Sequence, residues 1–308
     1  MRDVDERQKK RTNGRFQVLR AGLRVLSAVA PPLAEQLAMN LFYRPQRRRL
    51  PPEVPGAEPH AWRVKTRAGD LAVWDYGRGP TVLLVHGWSG AAGQWSPFIG
   101  PLLRAGHNAI ALDLPAHGLS DGDRTNLQEI VHAIVDTAAR VAPIRAVVAH
   151  SLGATATTLA LAQGLRAERA VLIAPAARDV QGYVHAFAQQ LGLPPAREPG
   201  LVARMRRKFG DLDRFDARKA AARLSTPALV FHDVDDAQVP FAEGESLARA
   251  WPGARLTALR GRGHNRPLTD PDVVREALTF ITTGPPAAPS AENEALLLQD
   301  IQEQREAG

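Results

Sequence analysis

The segment Ala149–Gly153, which reads Ala-His-Ser-Leu-Gly, constrains the fold of this chain more than any other feature. It ends an apolar run over 144–148 that is typical of a strand, and it opens a helical run over 154–165. A strand that enters a helix through a small-x-Ser-x-Gly turn is typical of a nucleophile elbow. The tight turn projects the serine from the sheet and needs small residues beside it. The pattern therefore predicts a reactive Ser151.

Strands and helices alternate along most of the chain after residue 60. Apolar runs predict strands, of which the first two flank an Ala-Gly-Asp turn and form a hairpin: 61–66, 71–76, 81–85, 108–112, 144–148, 170–173, 228–232 and 255–259. Helical spacing predicts helices between most of them: 93–104, 126–141, 154–165, 242–249 and 271–281. Such alternation predicts an α/β fold with a parallel, doubly wound sheet. Functional groups then lie at the carboxyl ends of the strands.

Three irregular parts divide the chain into predicted domains. Residues 1–59 form a basic amphipathic N-terminal extension that ends in a proline-rich linker, and its first 14 residues are expected to be disordered. The α/β domain occupies 60–283. Residues 177–226 separate consecutive strands by far more than a usual connection, which predicts a small helical cap over the strand ends. Residues 284–308 are expected to form a flexible tail.

The basic character of the chain belongs to its extension. Residues 1–50 hold twelve Lys and Arg against four Asp and Glu, a net charge of +8, while the whole chain carries +7. The remaining residues therefore carry −1. No interleaving of aromatic and basic residues accompanies the charge, so we expect no nucleic-acid partner.

The chain contains no cysteine, which excludes a disulfide scaffold, a thiolate metal site and cysteine catalysis. It also fits a reducing compartment. We expect a cytoplasmic location, at the inner face of the membrane if the extension binds lipid.

The extension has two short amphipathic helical patterns within residues 15–49. Apolar residues recur at helical spacing on both sides of a Pro-Pro break: Phe16, Leu19, Leu23 and Leu26, then Leu33, Leu37 and Leu41. A basic amphipathic pair can make peripheral contact with an anionic membrane. The same stripe can instead pack on the protein's own body or on a second subunit, which we favour. No apolar run reaches the roughly 18 residues of a spanning helix.

Two residues after later strands can activate Ser151. A serine hydroxyl needs a base to take its proton, usually a histidine that a carboxylate orients. Asp236 follows the strand 228–232, and His264 follows the strand 255–259. The order Ser, Asp, His is the order expected for a strand-turn-helix elbow. Asp233 and Asp235 remain alternatives to Asp236.

The tetrahedral intermediate of acyl transfer needs backbone donors for its oxyanion. Leu152 N–H follows the serine at a helix N-terminus, and Trp88 N–H is the best second donor, from the turn His86-Gly87-Trp88. The remaining strand-end histidines are interpreted as structural: His86, His117, His150 and His232. Trp88 and Trp95 either line an acyl pocket or pack in the core.

Together these pieces resemble the α/β-hydrolase superfamily across roughly residues 60–283. The matching motifs are the His-Gly-Trp turn at 86–88, Asp113 with His117-Gly118-Leu119-Ser120, the elbow, Asp236 with Val239-Pro240, and Gly263-His264. Ala149 and Ala116 stand where the family commonly has glycine. The resemblance implies a mostly parallel eight-stranded sheet with helices on both faces and a helical cap. It also implies a catalytic triad of Ser151, Asp236 and His264, an oxyanion hole at Trp88 and Leu152, and no metal or cofactor.

A serine at the elbow argues against the dehalogenases and epoxide hydrolases of this fold, which use an aspartate there. We expect a serine hydrolase that cleaves a carboxylic ester of a small-molecule acyl substrate, as a carboxylesterase or a lysophospholipase-like enzyme does. Alternatives are a carbon–carbon bond hydrolase or a catalytically silent binding protein. A further alternative, a proline-type aminopeptidase or amidase, needs an acidic anchor in the cap, for which Glu198, Asp211 and Asp213 are available. The basic run Arg204–Lys208 can favour an anionic substrate, although a solvated surface is the simpler interpretation.

Overall fold

The computed structural model describes the backbone of residues 2–283 and the side chains from residue 16 onward. The predicted tail, 284–308, lies outside these residues. The strands are β1 His60–Thr66, β2 Gly69–Tyr76, β3 Thr81–Val85, β4 Asn108–Leu112, β5 Ile144–His150, β6 Ala167–Ile173, β7 Ala228–Asp233 and β8 Ala254–Leu259. The α-helices are α1 Arg2–Val29, α2 Pro31–Phe42, α3 Ser96–Arg104, α4 Leu127–Val141, α5 Leu152–Ala162, α6 Val180–Leu191, α7 Glu198–Phe209, α8 Ala217–Ala221, α9 Phe241–Ala250 and α10 Pro271–Thr283.

All eight strands form one sheet in the order β1-β2-β4-β3-β5-β6-β7-β8. The pairs β1–β2 and β2–β4 are antiparallel, and every other pair is parallel. The predicted hairpin is present, because Thr66 pairs with Gly69 across its tight turn. The mostly parallel eight-stranded sheet is therefore confirmed. Its central strands β3 and β5 bring the elbow and the His-Gly-Trp turn to the same edge.

Helices cover both faces of the sheet, and each face has its own apolar core. Side chains of α4, α5, α8 and α9 pack on one face. Side chains of α3 and α10 pack on the other. Strand β3 is buried along its whole length because its alternate residues enter the two cores, and burial on both faces is why it reads as a continuous apolar run.

A third apolar cluster joins the extension to the insertion. Leu23 of α1 and Met39 of α2 are buried against Val184 and Leu191 of α6 and Met205 of α7. The cap is thus built from four helices, two from each part of the chain. Leu23 of the predicted stripe packs inside the protein, as the favoured interpretation has it, and Phe16, Leu19 and Leu41 are partly buried against the same cluster. Leu33 and Leu37 of the same stripe stay exposed.

The part of the insertion that forms the cap is shorter than the sequence predicts. The predicted cap ran from 177 to 226, but α8 and its flanks belong to the core of the sheet. Phe215, Ala217 and Ala221 are buried there, and α8 packs on α5. Only α6 and α7 stand off the sheet. The fifty-residue gap could not reveal this division because α8 is short and its apolar residues are small.

Helix α1 begins at Arg2, so the expected disorder of residues 1–14 is wrong for residues 2–14. Glu, Gln, Lys and Arg are good helix formers, and charge alone did not break the helix. None of the helices within residues 2–283 is long and apolar enough to span a bilayer.

The predicted linker is a strap that lies along the body rather than a free spacer. We call residues 43–57 the strap. Gln46 N–H donates to Ser89 Oγ at 2.9 Å, and the Leu50 carbonyl accepts from Gly93 N–H at 2.8 Å. Pro52 O accepts from the buried Tyr76 hydroxyl at 2.9 Å. The strap therefore runs beside the loop that follows β3.

Candidate active site

Ser151 occupies a strained turn between β5 and α5. Its φ of 52° and ψ of −123° lie in a region that non-glycine residues rarely adopt, and such strain clusters at functional sites. Gly153 is required one step later, because a Cβ there would lie 2.2 Å from the His86 carbonyl oxygen. A Cβ at Gly87 would lie 2.9 Å from Ser151 Cβ. Both glycines let the elbow and the His-Gly-Trp turn meet closely.

The structure brings Ser151, His264 and Asp236 into one hydrogen-bonded chain. His264 Nε2 lies 3.0 Å from Ser151 Oγ, and His264 Nδ1 lies 2.7 Å from Asp236 Oδ2. With the imidazole proton on Nδ1, the serine hydroxyl donates to Nε2 and the imidazole donates to the carboxylate. This is the arrangement in which a histidine can take the serine proton.

The structure also separates the three aspartates that the sequence left open. Asp233 accepts from the amides of Asp235 and Arg262, at 2.8 and 2.6 Å. Asp235 accepts from Gly261 N–H at 3.2 Å. Asp236 alone of the three contacts the His264 ring, while the other two fix the backbone of their loops.

Asp236 is held as a carboxylate. Burial by itself raises the pKa of the Asp236 carboxyl, but hydrogen bonds from the His232 and His264 side chains and the Val239 amide outweigh burial and hold the pKa well below its usual range. Its second oxygen accepts from the amides of Gln238 and Val239, at 2.8 and 3.0 Å. Because these donors fix the carboxylate, it can orient His264 and stabilise an imidazolium.

The two predicted oxyanion donors, Trp88 N–H and Leu152 N–H, are unpaired: among the described residues, neither donates to another protein atom. Leu152 is the first residue of α5, where the helix dipole adds positive potential. Gly87, the neighbour of Trp88, lies so near Ser151 that a Cβ added to it would come within 2.9 Å of Ser151 Cβ. The Trp88 indole packs edge-on against His117, with ring centroids 5.4 Å apart.

Trp95, the other predicted pocket tryptophan, is fully buried in the core between α3 and the sheet. It is a core residue and does not line a pocket.

Two buried neutral histidines hold the turn that carries Trp88. His86 Nδ1–H donates to the Gly87 carbonyl at 2.7 Å, and its Nε2 accepts from Leu114 N–H at 3.0 Å. His117 Nε2 accepts from Ser89 N–H at 2.9 Å. Burial lowers the pKa of His86 well below its ordinary value and lowers that of His117 to about 4. Both rings therefore serve as uncharged struts.

His150 has a contact that sequence reasoning missed. Its Nε2–H donates to the backbone carbonyl of His264 at 3.0 Å, and the two rings lie 4.8 Å apart. Burial and the neighbouring His264 lower the pKa of His150 to about 3, so the ring stays neutral. The residue before the serine thus anchors the loop that carries the histidine. The sequence gives no signal for a contact across 114 residues.

The acidic residues of the cap are already occupied. Glu198 pairs with His185 at 3.0 Å, and Asp213 pairs with Lys219 at 2.5 Å. Asp211 accepts from the backbone of Asp213 at 3.0 Å. None of the three is free to anchor a substrate amine. In the described part of the chain no His, Asp and Glu side chains cluster as metal ligands would.

Comparison with known proteins agrees with this geometry. A model of the alpha/beta hydrolase family matches residues 82–277. The chain is 30% identical over 244 residues to the pimeloyl-[acyl-carrier protein] methyl ester esterase of Xanthomonas campestris, a match that covers 66% of this chain and 94% of the relative. It is 28% identical over 245 residues to a putative carbamate hydrolase of Variovorax paradoxus, covering 65% and 90%.

A solved structure shows the same fold. The enol-lactonase of Burkholderia xenovorans superposes with a TM-score of 0.57 at 20% identity, over 72% of this chain and 100% of that one. The matched residues include the strands from β3 to β8, the elbow and the histidine loop, and they begin after α1, α2, the strap, β1 and β2. The chain belongs to the alpha/beta hydrolase family.

Proposed function

We propose that this protein is a serine esterase that cleaves carboxylic esters through an acyl-enzyme on Ser151. His264 Nε2 takes the serine proton while Oγ attacks the carbonyl carbon. The carbonyl oxygen becomes an oxyanion that accepts from Trp88 N–H and Leu152 N–H. The imidazolium, stabilised by Asp236, then gives its proton to the departing alcohol, and the acyl group remains on Ser151.

The second half-reaction uses the same groups in the same roles. His264 takes a proton from water, the resulting nucleophile attacks the acyl carbon, and a second oxyanion forms in the same position. The tetrahedral intermediate collapses to the carboxylic acid, and the proton returns to Ser151 Oγ. Every proton moves through His264, so the chemistry needs no group beyond the three side chains and two amides.

The observation that carries the proposal is the unbroken chain of hydrogen bonds from Ser151 through His264 to Asp236, at 3.0 and 2.7 Å. The names of the relatives support an ester as the bond cleaved, since the Xanthomonas relative is named a methyl ester esterase. The proposed class is a carboxylesterase or a lysophospholipase-like enzyme that acts on an acyl group of modest size.

The test is hydrolysis of p-nitrophenyl esters whose acyl chains run from about two to about sixteen carbons. We expect turnover that peaks at one length, and Ser151→Ala to lower kcat by about 10³-fold or more while the protein remains folded. A fluorophosphonate should label the wild-type serine and leave the variant unlabelled. Ester turnover that survives in Ser151→Ala would contradict the mechanism. If the wild type shows no turnover and no labelling, the result favours a binding protein.

Amide substrates separate the proposal from its enzymatic alternative. A proline-type aminopeptidase needs a carboxylate free to hold the substrate amine, and Glu198, Asp211 and Asp213 all have partners. We therefore expect proline p-nitroanilide to be turned over far more slowly than the best ester. Faster cleavage of the anilide would reverse the assignment.

We also propose a peripheral contact with anionic lipid through the outer face of α1 and α2. Five large apolar side chains of these helices stay exposed although their neighbours pack in the cap: Val18, Val25, Val29, Leu33 and Leu37. Helix α1 holds eight Lys and Arg against three Asp and Glu, and exposed apolar side chains with basic residues favour an anionic interface. Co-sedimentation with phosphatidylglycerol vesicles should fall in Val25→Asp/Val29→Asp. Binding that is absent in the wild type, or unchanged in the variant, would refute the contact.

A further inference from the structure

A second cleft, separate from Ser151, lies where the extension, the cap and the body meet. Its volume is about 440 Å³, and its walls come from α2, α7 and residues 124–129 at the start of α4. No member of the Ser-His-Asp chain lines it. Helix α2 lies before the region that the family model matches, so this cleft depends on a part of the chain that the family model does not include.

Three cations face the cleft without an acidic partner. Within the described side chains, Arg124, Arg207 and Lys208 form no ion pair. Arg124 donates only to the Asn40 amide oxygen, at 3.2 Å. Lys208 Nζ lies 4.5 Å from the centre of the Tyr43 ring.

A fourth cation in the cleft wall, Arg204, has hydrogen-bond partners within the protein. Arg204 donates to Glu35 at 3.2 Å, to Gln36 at 3.1 Å and to the Pro32 carbonyl at 2.9 Å. It therefore fixes α7 to α2 and is not available to a ligand. The contrast marks the other three as groups whose partner is missing from the protein.

Two buried hydroxyls in the same walls also lack a partner. Thr125 Oγ1 and Tyr43 Oη are inaccessible to solvent and have no hydrogen bond in the described part of the chain. Thr125 as a whole is 2% exposed. Burial first and the nearby Glu129 second raise the pKa of Tyr43 to about 12. The phenol therefore stays protonated as a donor. A buried donor without an acceptor costs free energy, and a ligand oxygen would remove that cost once a small side-chain rotation turns the hydroxyl into the cleft.

Glu129 is the one acidic residue in the walls. It lies in the first turn of α4, where Asn126 Oδ1 caps the helix by accepting from Glu129 N–H at 3.1 Å. Its carboxylate offsets one of the three positive charges and leaves a net excess of two. The helix N-terminus adds positive potential at the same place.

We infer that this cleft binds a small molecule that carries a phosphate group. Apart from Glu129, the unpaired groups are cations and hydroxyls that can donate, so a ligand that presents acceptors and negative charge suits them. A phosphate has three terminal oxygens and close to two charges at neutral pH, which matches the net excess of two and the two hydroxyls. Arginine suits such oxygens because its planar donors bind them in pairs. A cleft of this size also leaves room for an organic group beyond the phosphate.

Inorganic pyrophosphate is the probe, measured by calorimetric titration of the full-length protein at fixed ionic strength. We expect saturable binding to the wild type and to Ser151→Ala alike, since the catalytic site takes no part. Arg207→Glu should weaken binding by about tenfold or more. Arg206→Glu is the matched control, because it makes the same change of charge at the adjacent residue of α7, which does not line the cleft. It should change the affinity little.

Two further variants separate a built site from a merely basic surface. Glu129→Gln removes the opposing charge and should tighten binding. Thr125→Val removes one buried donor without changing charge and should weaken binding while the melting temperature stays near that of the wild type. The inference is overturned by absence of saturable binding, by equal weakening in Arg206→Glu, or by binding only to phosphatidylglycerol vesicles and not to pyrophosphate.

Discussion

At the scale of single residues, Asp235 and Asp236 are chemically identical neighbours whose partners differ. Asp236 accepts from His264 Nδ1 at 2.7 Å, whereas Asp235 accepts from a backbone amide. An asparagine at position 236 cannot hold the imidazole in the tautomer that takes the serine proton. We therefore expect Asp236→Asn to lower kcat by roughly 10⁴-fold, with Asp235→Asn close to the wild type. Ester hydrolysis by both variants measures this, and equal losses would contradict the assignment.

A second residue-scale prediction concerns His150, which anchors the His264 loop. His150→Phe keeps a ring of similar size and removes the donor to the His264 carbonyl. Losing one hydrogen bond costs about 1 kcal/mol, so kcat should fall by about fivefold while KM changes little. His150→Gln, which can still donate, should recover part of the loss. Equal kcat values for the Phe and Gln variants would show that the hydrogen bond does not position His264.

The sequence predicted Ser151, Asp236 and His264 because each follows a strand, and parallel strands end at one edge of the sheet. It favoured Asp236 and left Asp233 and Asp235 as alternatives, since all three lie in one loop and only side-chain directions separate them. Nothing in the sequence indicated that His150 anchors the loop of His264. Such contacts depend on the packing of one loop against another, which local spacing does not encode.

At the scale of elements, α1 is a structural part of the cap. Leu23 is 1% exposed against the cap helices, whereas Val25 on the same helix is 67% exposed. Leu23→Ala removes buried methyl groups and leaves a cavity, so we expect a loss of about 2–4 kcal/mol in the free energy of unfolding. Val25→Ala should change it by less than about 0.5 kcal/mol. Urea denaturation of the two variants tests this. Similar stabilities would mean that α1 does not pack on the cap.

The amphipathic pattern predicted the two extension helices, but it did not predict the surface on which they pack. The stripe includes Leu23 and not Val25, which lies about 200° further around the helix, but the pattern does not identify α6 as the surface that buries Leu23. The cap boundary failed for a related reason. The short α8 carries alanines that fit closely against α5, and small residues give a weak amphipathic signal.

At the scale of the whole molecule, the alternation of strands and helices predicted most of the architecture. Right-handed crossovers leave few ways to order parallel strands, so the eight-stranded sheet could be predicted without knowledge of any contact. The sharing of the cap between residues 2–42 and 180–209 could not. Contacts between segments so far apart in sequence are set by the completed sheet.

The same architecture buries several neutral histidines, and this makes its stability depend on pH. The pKa values of His117 and His150 fall from 6.5 to about 4 and about 3, and that of His86 is also lowered. The unfolded chain therefore binds protons first as the pH falls. Each buried neutral ring makes its full contribution to the free energy of unfolding above pH 6.5. That contribution is lost as the pH falls from 6.5 towards the pKa of the ring in the folded protein.

Between about pH 7.5 and about pH 5.0, each such histidine should remove about 2 kcal/mol from the free energy of unfolding, because at pH 5 it is charged in the unfolded chain and still neutral in the folded one. The measurement is urea denaturation at both pH values. His150→Gln removes one of these groups, so its loss should be about 2 kcal/mol smaller than that of the wild type. His60→Gln is the control, since His60 is exposed at the start of β1 and forms no ion pair within the described side chains; it should lose as much as the wild type. If His150→Gln shows the full wild-type loss, burial of His150 as a neutral ring does not contribute to the acid lability of this fold.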